Sequence, residues 1–385
     1  MEYYIKADSF LLEKEERKGG YLAVKDGLFA GFVEEFPVDA MVDDWGGHTI
    51  APGLFDTHIH GINDYDIMDG DSTGVNEISK SILKLGVTRF LPTTLTASKD
   101  ELEKAIVAIT DAVRAGLVGA RSEGIFLEGP YFSEENKGAQ NPNFFKDPDI
   151  TEYKQWQKLA NGQIVKIALA PERQNSMDFI KKVSKEVLIS IAHTDASFDC
   201  CNKAVDAGAR NYVHLFNGMS GLHHRDPGVV GAALTDSRAY AEIICDGHHV
   251  HPEVATMALK VKQEKLVLIT DCMRAGLMPD GPYFLGDYPV VMKDGIVRTD
   301  TGSLAGSTLK LIDGVINLKK WSTNPLYEIW HLATLSPAAS VGQEERLGSI
   351  KEGKVADYVV LDSDLTVKAV AVDGIVKYER EKGRV

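Results

Sequence analysis

Short apolar runs alternate with helical patterns between about residue 53 and residue 335 of the chain. This alternation is typical of a parallel sheet built from strand–helix units, in which each helix carries the chain back to the start of the next strand. One helix start is clear, because Ser98 and Glu101 have the spacing of a capping box. The pattern predicts a (β/α)8 barrel whose eight strands lie at residues 54–60, 87–92, 124–128, 165–170, 187–193, 212–216, 241–245 and 265–270.

Both ends of the chain have a different pattern, with short β-prone segments. Residues 1–50 and 341–385 each have too few strands to be stable alone, so we predict that they pair into one small β-sandwich domain beside the barrel. The barrel would then occupy residues 51–340. A hairpin pattern at residues 282–298, with Lys293, Asp294 and Gly295 in its turn, either joins the sandwich or covers the barrel mouth.

The 385-residue chain carries a formal net charge of −14. Nucleic acids and anionic membranes select basic surfaces, so we exclude both as partners. No apolar run is long enough to span a membrane, and the N-terminal residues lack the pattern of a signal peptide. The four cysteines form neither a disulfide framework nor a CxxC pair. We therefore expect a soluble, unexported protein of the cytoplasm.

Two histidines, His58 and His60, stand two residues apart at the end of the first predicted strand. Alternate residues of a strand point to the same side, so both imidazoles can bind one metal ion. In isolation, the pair has an equally simple interpretation, in which one histidine caps the strand and the other faces solvent. The other strand ends decide between the two interpretations.

Four further ionisable residues fall at the carboxyl ends of predicted strands, where barrel enzymes keep their chemistry. Each one alone is more often a structural or solvated group, but six at strand ends indicate a metal centre. Imidazole and carboxylate ligands without thiolates suit Zn²⁺ or Fe²⁺. The pattern predicts metal-assisted hydrolysis, with a carboxylate on the eighth strand as proton acceptor. The six candidate ligands are His58, His60, Glu128, His193, His214 and Asp271.

The motifs around these residues resemble those of a known family. The segment PGLFDTHIHG at residues 52–61, together with the other candidate ligands, resembles the amidohydrolase superfamily, whose barrels hold one or two metals. Further motifs are similar to those of its N-acetylglucosamine-6-phosphate deacetylase family, and the resemblance covers nearly the whole chain. These motifs are GIFLEGPYF (124–132), KGA (137–139), HLFNGM (214–219), HRDPG (224–228), DGHHVHP (246–252), SLAGS (303–307) and GSIKEGKVAD (348–357).

The resemblance implies a role for each candidate ligand and one or two divalent metals per subunit, with Zn or Fe as the best fit. Asp271 would be both a metal ligand and the catalytic base. Glu128 would bridge two metals, in the place of the carboxylated lysine that many related barrels carry at the end of the fourth strand. The first metal would be held by Glu128, His193 and His214, and the second site would be completed by His58 and His60.

The same resemblance implies a substrate site shared between two subunits. Arg225 matches a residue that binds the sugar phosphate in the neighbouring subunit, which implies a homodimer. A guanidinium suits phosphate geometry, although outside this motif Arg225 would be interpreted as a surface arginine. The other positions that match sugar or phosphate contacts are Ala139, Gln140, Asn217, Gly218, His249, Leu304, Ala305 and Gly306.

Gln140 departs from the family pattern, in which a histidine follows the Gly-Ala pair and polarises the amide carbonyl. A glutamine can donate a hydrogen bond to a developing oxyanion but cannot carry positive charge. We expect the loop at residues 129–150 to hold Gln140 over the pocket as a lid. The departure implies either weaker stabilisation, offset by a second metal, or a changed sugar preference.

With the resemblance, the sequence predicts hydrolysis of N-acetylglucosamine 6-phosphate to glucosamine 6-phosphate and acetate. One alternative keeps this chemistry on another acetamido sugar phosphate, such as N-acetylgalactosamine 6-phosphate. A deacylase of N-acetyl amino acids is a further alternative that would not need Arg225. A non-catalytic scaffold on the same barrel is the last alternative, and it predicts gaps in the ligand set.

Overall fold

Strands from both ends of the chain pair into one eight-stranded sheet in the computed structural model, which describes residues 2–380. The first strand pairs in parallel with the fifth, and the fifth pairs antiparallel with a strand from the C-terminal segment. The strands, numbered along the chain, are β1 (Glu2–Leu11), β2 (Glu16–Lys18), β3 (Tyr21–Lys25), β4 (Leu28–Val33), β5 (Val42–Pro52), β20 (Tyr358–Leu361), β21 (Val367–Val372) and β22 (Ile375–Glu379).

This sheet buries both of its faces, because alternate residues of β20 enter different cores. Tyr358 and Val360 pack in a core formed by the chain-end strands, whereas Val359 and Leu361 pack in the core shared with the barrel. The sheet curls so far that its turns meet, since a Cβ on Gly374 would lie 2.8 Å from the Cα of Gly27. The prediction that both chain ends form one small β-rich domain is confirmed, and its strands belong to a single curled sheet.

All eight predicted barrel strands are present and run parallel, each paired with the next. Residues with inward side chains, such as Phe55, Leu91 and Phe126, form a separate core cluster from successive strands. The predicted (β/α)8 barrel is therefore confirmed. Its strands are β6 (Leu54–Ile59), β9 (Val87–Thr94), β11 (Ile125–Tyr131), β12 (Ile164–Leu169), β13 (Leu188–Ile191), β14 (Asn211–Tyr212), β15 (Tyr240–Ile244) and β16 (Leu266–Ile269), and the short β10 (Arg121–Ser122), just before β11, pairs in parallel with β9.

Helices cover the outside of the barrel and return the chain between strands. The predicted capping box is present at the start of the second helix, where the backbone N–H of Ser98 donates to Glu101 Oε2 over 2.9 Å. The α-helices of the described residues are α1 (Ser72–Leu83), α2 (Lys99–Ala115), α3 (Ile150–Leu159), α4 (Ser176–Val183), α5 (Phe198–Ala207), α6 (Gly228–Thr235), α7 (Pro252–Lys262), α8 (Leu311–Trp321), α9 (Leu326–His331) and α10 (Leu335–Ser340).

The predicted hairpin covers the barrel mouth and pairs with none of the chain-end strands among the described residues. It belongs to a separate three-stranded antiparallel sheet. Leu285 in this sheet packs against Leu95, which follows β9, and against Met273, which follows β16. The sheet consists of β17 (Gly281–Leu285), β18 (Tyr288–Lys293) and β19 (Ile296–Thr299), and a small hairpin of β7 (Gly61–Ile62) and β8 (Tyr65–Asp66) lies at the same end.

Two further predictions concern the whole chain. Between residues 2 and 380, none of the helices has the length and apolar character needed to cross a bilayer. The cysteines at positions 200, 201, 245 and 272 all have free thiols.

Candidate active site

The six predicted ligands converge at the carboxyl ends of the barrel strands, in two groups. Within each group, one ligand atom per residue lies within 4.8 Å of the others. The His58 group contains His58, His60 and Asp271, and the Glu128 group contains Glu128, His193 and His214. All six residues are buried.

Glu128 connects the two groups. Its Oε1 atom lies 3.2 Å from His214 Nε2 and 3.4 Å from His58 Nε2. Its Oε2 atom lies 3.2 Å from His60 Nε2. One carboxylate therefore faces histidines of both groups, as a ligand that bridges two metals would.

Backbone carbonyls orient three of the four imidazoles. The Nδ1 atom of His60 lies 3.2 Å from the carbonyl oxygen of Thr93. The Nδ1 atoms of His193 and His214 each lie 3.0 Å from a carbonyl oxygen, of Asn136 and Asn217 respectively. An Nδ1–H that donates to such an acceptor leaves Nε2 free to bind a metal, and in all three residues Nε2 faces the centre of the site.

Three of the six predicted ligands adopt a left-handed backbone conformation, which residues other than glycine rarely adopt. The φ angles are 43° at His193, 32° at His214 and 50° at Asp271. Such residues cost on the order of 1–3 kcal/mol each and persist where the surrounding structure holds them. In each case the chain turns sharply just after a short strand, which aims the side chain at the mouth of the barrel.

The electrostatics of the site favour a bound cation. Burial lowers the pKa of the two strand-one imidazoles, but the carboxylates of Glu128 and Asp271 outweigh it and raise the pKa of His58 to about 9 and that of His60 to about 10. Burial raises the pKa of Asp271, but the charges of His58 and His60 outweigh the effect of burial and lower that pKa to about 2. The site therefore retains protons that a divalent metal would replace, and its imidazole and carboxylate donors fit such a metal.

A buried carboxylate joins the first and last barrel strands just below the ligands. Asp56 Oδ1 accepts from the backbone N–H of His58 over 3.2 Å, and Oδ2 accepts from the Thr270 hydroxyl over 2.6 Å. Burial raises the pKa of Asp56 to about 6. The backbone N–H of Asp271 also donates to the His58 carbonyl over 2.9 Å, so the residues that close the barrel also set the spacing of the His58 group.

An open cavity with about 990 Å³ of empty space lies above the two groups. Most of the predicted substrate residues line it, and one of these, His249, is fixed by a 2.6 Å contact between its Nδ1 atom and Asp246 Oδ2. Leu285 of the covering sheet completes one wall. The predicted substrate residues that line the cavity are Ala139, Gln140, Asn217, Gly218, His249, Leu304 and Gly306.

Two predicted substrate residues lie elsewhere. Ala305 is fully buried beneath the cavity wall, where its N–H donates to the Val297 carbonyl over 3.2 Å. Arg225 is exposed outside the cavity of its own chain and contacts His224 Nε2 over 2.7 Å. A role for Arg225 in substrate binding therefore requires a second copy of the chain.

Both polar groups of the Gln140 amide form hydrogen bonds within the protein. Its NH2 group donates to Glu128 Oε2 over 2.8 Å, and its carbonyl oxygen accepts from the Thr96 backbone N–H over 3.0 Å. Gln140 is buried at the cavity wall. The loop that carries Gln140 thus contacts a predicted metal ligand, the carboxylate that joins the two groups.

The sequence patterns did not identify two further residues next to the site, Lys166 and Glu242. They form a fully buried ion pair inside the barrel, next to His58. Lys166 is the lysine of the fourth strand, and its ammonium is engaged by Glu242 and by the Thr57 carbonyl, 3.3 Å away. The available signal was a single charged residue in the otherwise apolar strands β12 and β15.

Comparison with known proteins shows the family to which the chain belongs. The amidohydrolase family model matches residues 49–377. The N-acetylglucosamine-6-phosphate deacetylase of Vibrio furnissii is 41% identical over 331 residues, which cover 86% of this chain and 83% of the relative. The N-acetylgalactosamine-6-phosphate deacetylase of Escherichia coli O157:H7 is 38% identical over 375 residues, which cover 97% and 99% of the two chains.

Among solved structures, a mutant N-acetyl-D-glucosamine-6-phosphate deacetylase from Mycobacterium smegmatis, in complex with N-acetyl-D-glucosamine 6-phosphate, superposes with a TM-score of 0.90. It is 30% identical to this chain, and the match covers 98% of this chain and 99% of that one. The likeness extends over both the barrel and the chain-end sheet.

Proposed function

Because this chain belongs to the amidohydrolase family, we propose that it hydrolyses the acetamide of N-acetylglucosamine 6-phosphate to glucosamine 6-phosphate and acetate. The convergence of two complete ligand groups on Glu128, at the floor of an open cavity, is the observation that carries the proposal. A scaffold that had lost its chemistry would show gaps in this set, and all six ligands are in place.

The donor set indicates which residues would hold metal. The Glu128 group would hold one divalent ion and the His58 group a second, with Zn²⁺ or Fe²⁺ as the ions that suit imidazole and carboxylate. A metal bound there acts as a Lewis acid toward the amide carbonyl and lowers the pKa of water.

In this proposal Asp271 moves the proton. Its carboxylate borders the cavity and lies 3.2 Å from His60 Nε2. A carboxyl group is ionised at neutral pH, and Asp271 would accept the proton of the attacking water. The same carboxyl then returns that proton to the amine nitrogen of the sugar as the C–N bond breaks.

The sugar phosphate would lie among the polar groups of Asn217, Gly218 and His249, which line the cavity. No arginine or lysine lines this cavity among the described residues, so the phosphate needs a cation from elsewhere. Arg225 of a second subunit would supply it, which leads us to propose a homodimer with shared active sites.

A cytoplasmic location is part of the proposal. All four cysteines are free thiols, which is the usual state in a reducing compartment.

Hydrolysis of N-acetylgalactosamine 6-phosphate is the second candidate. A relative named for that activity matches 97% of this chain at 38% identity, close to the 41% of the relative named for the glucosamine epimer. The two sugars differ only in the configuration at C4.

Acetate release tests the proposal. Metal-loaded protein would be assayed with both sugar phosphates and with unphosphorylated N-acetylglucosamine. We expect kcat/KM for N-acetylglucosamine 6-phosphate to exceed that for the unphosphorylated sugar by at least about tenfold, because charge-assisted hydrogen bonds to phosphate contribute roughly 1.5–3 kcal/mol.

The outcomes separate the candidates. A higher kcat/KM for N-acetylgalactosamine 6-phosphate would move the function to the second candidate. No acetate from either sugar phosphate, with metal bound, would overturn the proposal.

A further inference from the structure

His58 differs from the other three histidines of the site in what its Nδ1 atom faces. The other three each face a backbone carbonyl oxygen at 3.0–3.2 Å. The Nδ1 atom of His58 is buried and has no hydrogen-bond partner among the described residues. The nearest carboxylate oxygen, Glu242 Oε2, lies 3.7 Å away and is itself buried without a partner.

Two unpartnered polar atoms that face each other in a dry interior indicate a hydrogen bond that is not fully closed. Burying either atom unpaired costs roughly 1–3 kcal/mol. A shift of under an ångström would bring the pair into hydrogen-bond range and satisfy both atoms. A metal on Nε2 requires the proton of His58 to sit on Nδ1, which is the atom that faces the carboxylate.

Lys166 explains how a carboxylate can be buried here. Its ammonium is ion-paired with Glu242 Oε1, and both side chains are at most 1% exposed. The Thr57 hydroxyl also donates to Oε1 over 3.3 Å, and the Lys166 ammonium packs 3.8 Å from the centre of the Phe126 ring. These contacts occupy Oε1 and leave Oε2 for His58. An isolated buried carboxylate would cost several kcal/mol, whereas the paired one adds no net charge beneath the site.

We propose that Glu242, held by Lys166, accepts the hydrogen bond of the His58 Nδ1–H and thereby positions the His58 Nε2 atom for the second metal. Glu242 and Lys166 are positioning residues, since they touch the ligand and not the metal. The inference rests on the proposed metal-dependent function, but its test reads metal binding and not turnover. The Glu128 group, whose imidazoles use backbone carbonyls, does not depend on this pair.

Zinc binding by pairs of substitutions tests the proposal. Protein stripped with a chelator would be titrated with Zn²⁺ against a competing indicator, to give the number of ions and the affinity of each. The variant Lys166→Met/Glu242→Leu removes the acceptor and both charges, and such apolar replacements of buried ion pairs are often tolerated. The variant Lys166→Met/Glu242→Gln removes the charges but keeps an acceptor oxygen.

We expect wild-type protein to bind two ions per chain. In the leucine variant, the affinity for the second ion, at the His58 group, should fall by about 10- to 100-fold. The affinity for the first ion should stay within about threefold of wild type. The second-ion affinity of the glutamine variant should lie between those of the wild type and the leucine variant, because the amide oxygen still accepts a hydrogen bond. Glu123→Gln is the matched control, because Glu123 is a nearly buried glutamate paired with Arg89 at the other end of the barrel, and it should bind both ions as the wild type does.

A wild-type chain that binds only one ion, or a leucine variant that binds both ions with wild-type affinity, would overturn the proposal. A measurement on wild-type protein applies even if the variants do not fold. In protein with ¹⁵N-labelled histidine and bound Zn²⁺, the His58 Nδ1 proton should resonate at lower field than those of the other three ligands, because its acceptor is charged. An unprotonated Nδ1 in His58 would contradict the proposal whatever the enzyme's substrate is.

Discussion

The two ends of the barrel both bury dense clusters of charge, but only one of them is held together by a permanent cation. At the amino end, the Arg89 guanidinium bonds to Asp357 through two nitrogens, to Glu123 over 2.8 Å and to Asp373 over 2.5 Å. At the carboxyl end, two carboxylates face four imidazoles, and the positive charge of His58 and His60 depends on bound protons. The first cluster joins the barrel to the chain-end sheet, and the second has no arginine or lysine among its six residues.

This difference separates structural charge from functional charge more clearly than burial does. The carboxylates raise the pKa of Arg89 above its already high value, so the amino-end cluster stays ionised at any ordinary pH. At the carboxyl end, the same kind of carboxylates act on imidazoles, which can exchange their protons for metal near neutral pH. A buried cluster whose positive charges can exchange for a metal ion is the one from which to expect chemistry.

The largest expected effect separates the ends by activity. Asp271→Asn removes the proton acceptor at the carboxyl end and should lower kcat by about 10³-fold or more, since positioned proton transfer contributes 10²–10⁴. Acetate release under saturating substrate measures it, with circular dichroism as the check on folding. A folded variant that keeps a tenth of the activity would exclude the assigned role.

The complementary change lies at the amino end. Arg89→Met leaves three acidic neighbours without their shared guanidinium and should lower the free energy of unfolding by about 3–5 kcal/mol, the usual result of breaking a buried ion pair. Chemical denaturation measures it. We expect kcat of the folded fraction to stay within about twofold of wild type, and a large loss of kcat at unchanged stability would reverse the comparison.

A third prediction tests whether the carboxyl-end site extends into a second subunit. Arg225→Ala should raise KM for the phosphorylated sugar by roughly 10- to 100-fold, because a charge-assisted contact is worth about 1.5–3 kcal/mol. Turnover of the unphosphorylated sugar is the internal control and should not change. Equal losses with both sugars would show that Arg225 does not bind phosphate.

The pH dependence of the free energy of unfolding tests whether His58 and His60 hold protons in the folded protein. The pKa values of His58 and His60 are about 9 and 10 in the folded metal-free protein, against 6.5 when unfolded. Their protons stabilise the fold fully below about pH 6.5, and this contribution disappears as the pH rises through 9 to 10. The Tm of chelator-treated protein should therefore fall as the pH rises from about 6.5 to about 10. A His58→Asn/His60→Asn variant should show a flatter profile, and an identical profile would contradict the assignment.

The smallest expected effect concerns the lid. Gln140→Ala removes the hydrogen bond to the Glu128 carboxylate and should lower kcat by about 2- to 10-fold, because Gln140 contacts a predicted metal ligand and not the reacting atoms. A loss of 10² or more would instead indicate that Gln140 donates to the oxyanion of the reaction. Kinetics of the metal-loaded variant decide between the two roles.

Much of this arrangement could be predicted from the sequence, because local patterns determine it. Strand–helix alternation located all eight barrel strands, and the ends of these strands located the six residues that converge in the two groups. Other features depend on pairs of residues far apart in the chain. Arg89 and Asp357 are separated by 268 positions and Lys166 and Glu242 by 76, and no local pattern pairs them.

The backbone turns at the ligands were also beyond the sequence. A positive φ is expected first at glycine, and although Asp and His adopt it more often than most other residues, their type alone does not predict it at His214 or Asp271. The position of the hairpin at the barrel mouth depends on packing of Leu285 against Leu95, which is likewise a tertiary contact. Sequence patterns thus located the chemistry, while the contacts that orient it required the structure.

Acetate release from N-acetylglucosamine 6-phosphate, followed as Zn²⁺ is added back to chelator-stripped protein, tests the central claim most directly. We predict no turnover by the stripped protein and restored release of one acetate per sugar as up to two ions bind per chain. Full turnover without metal, or none with both ions bound, would contradict the account.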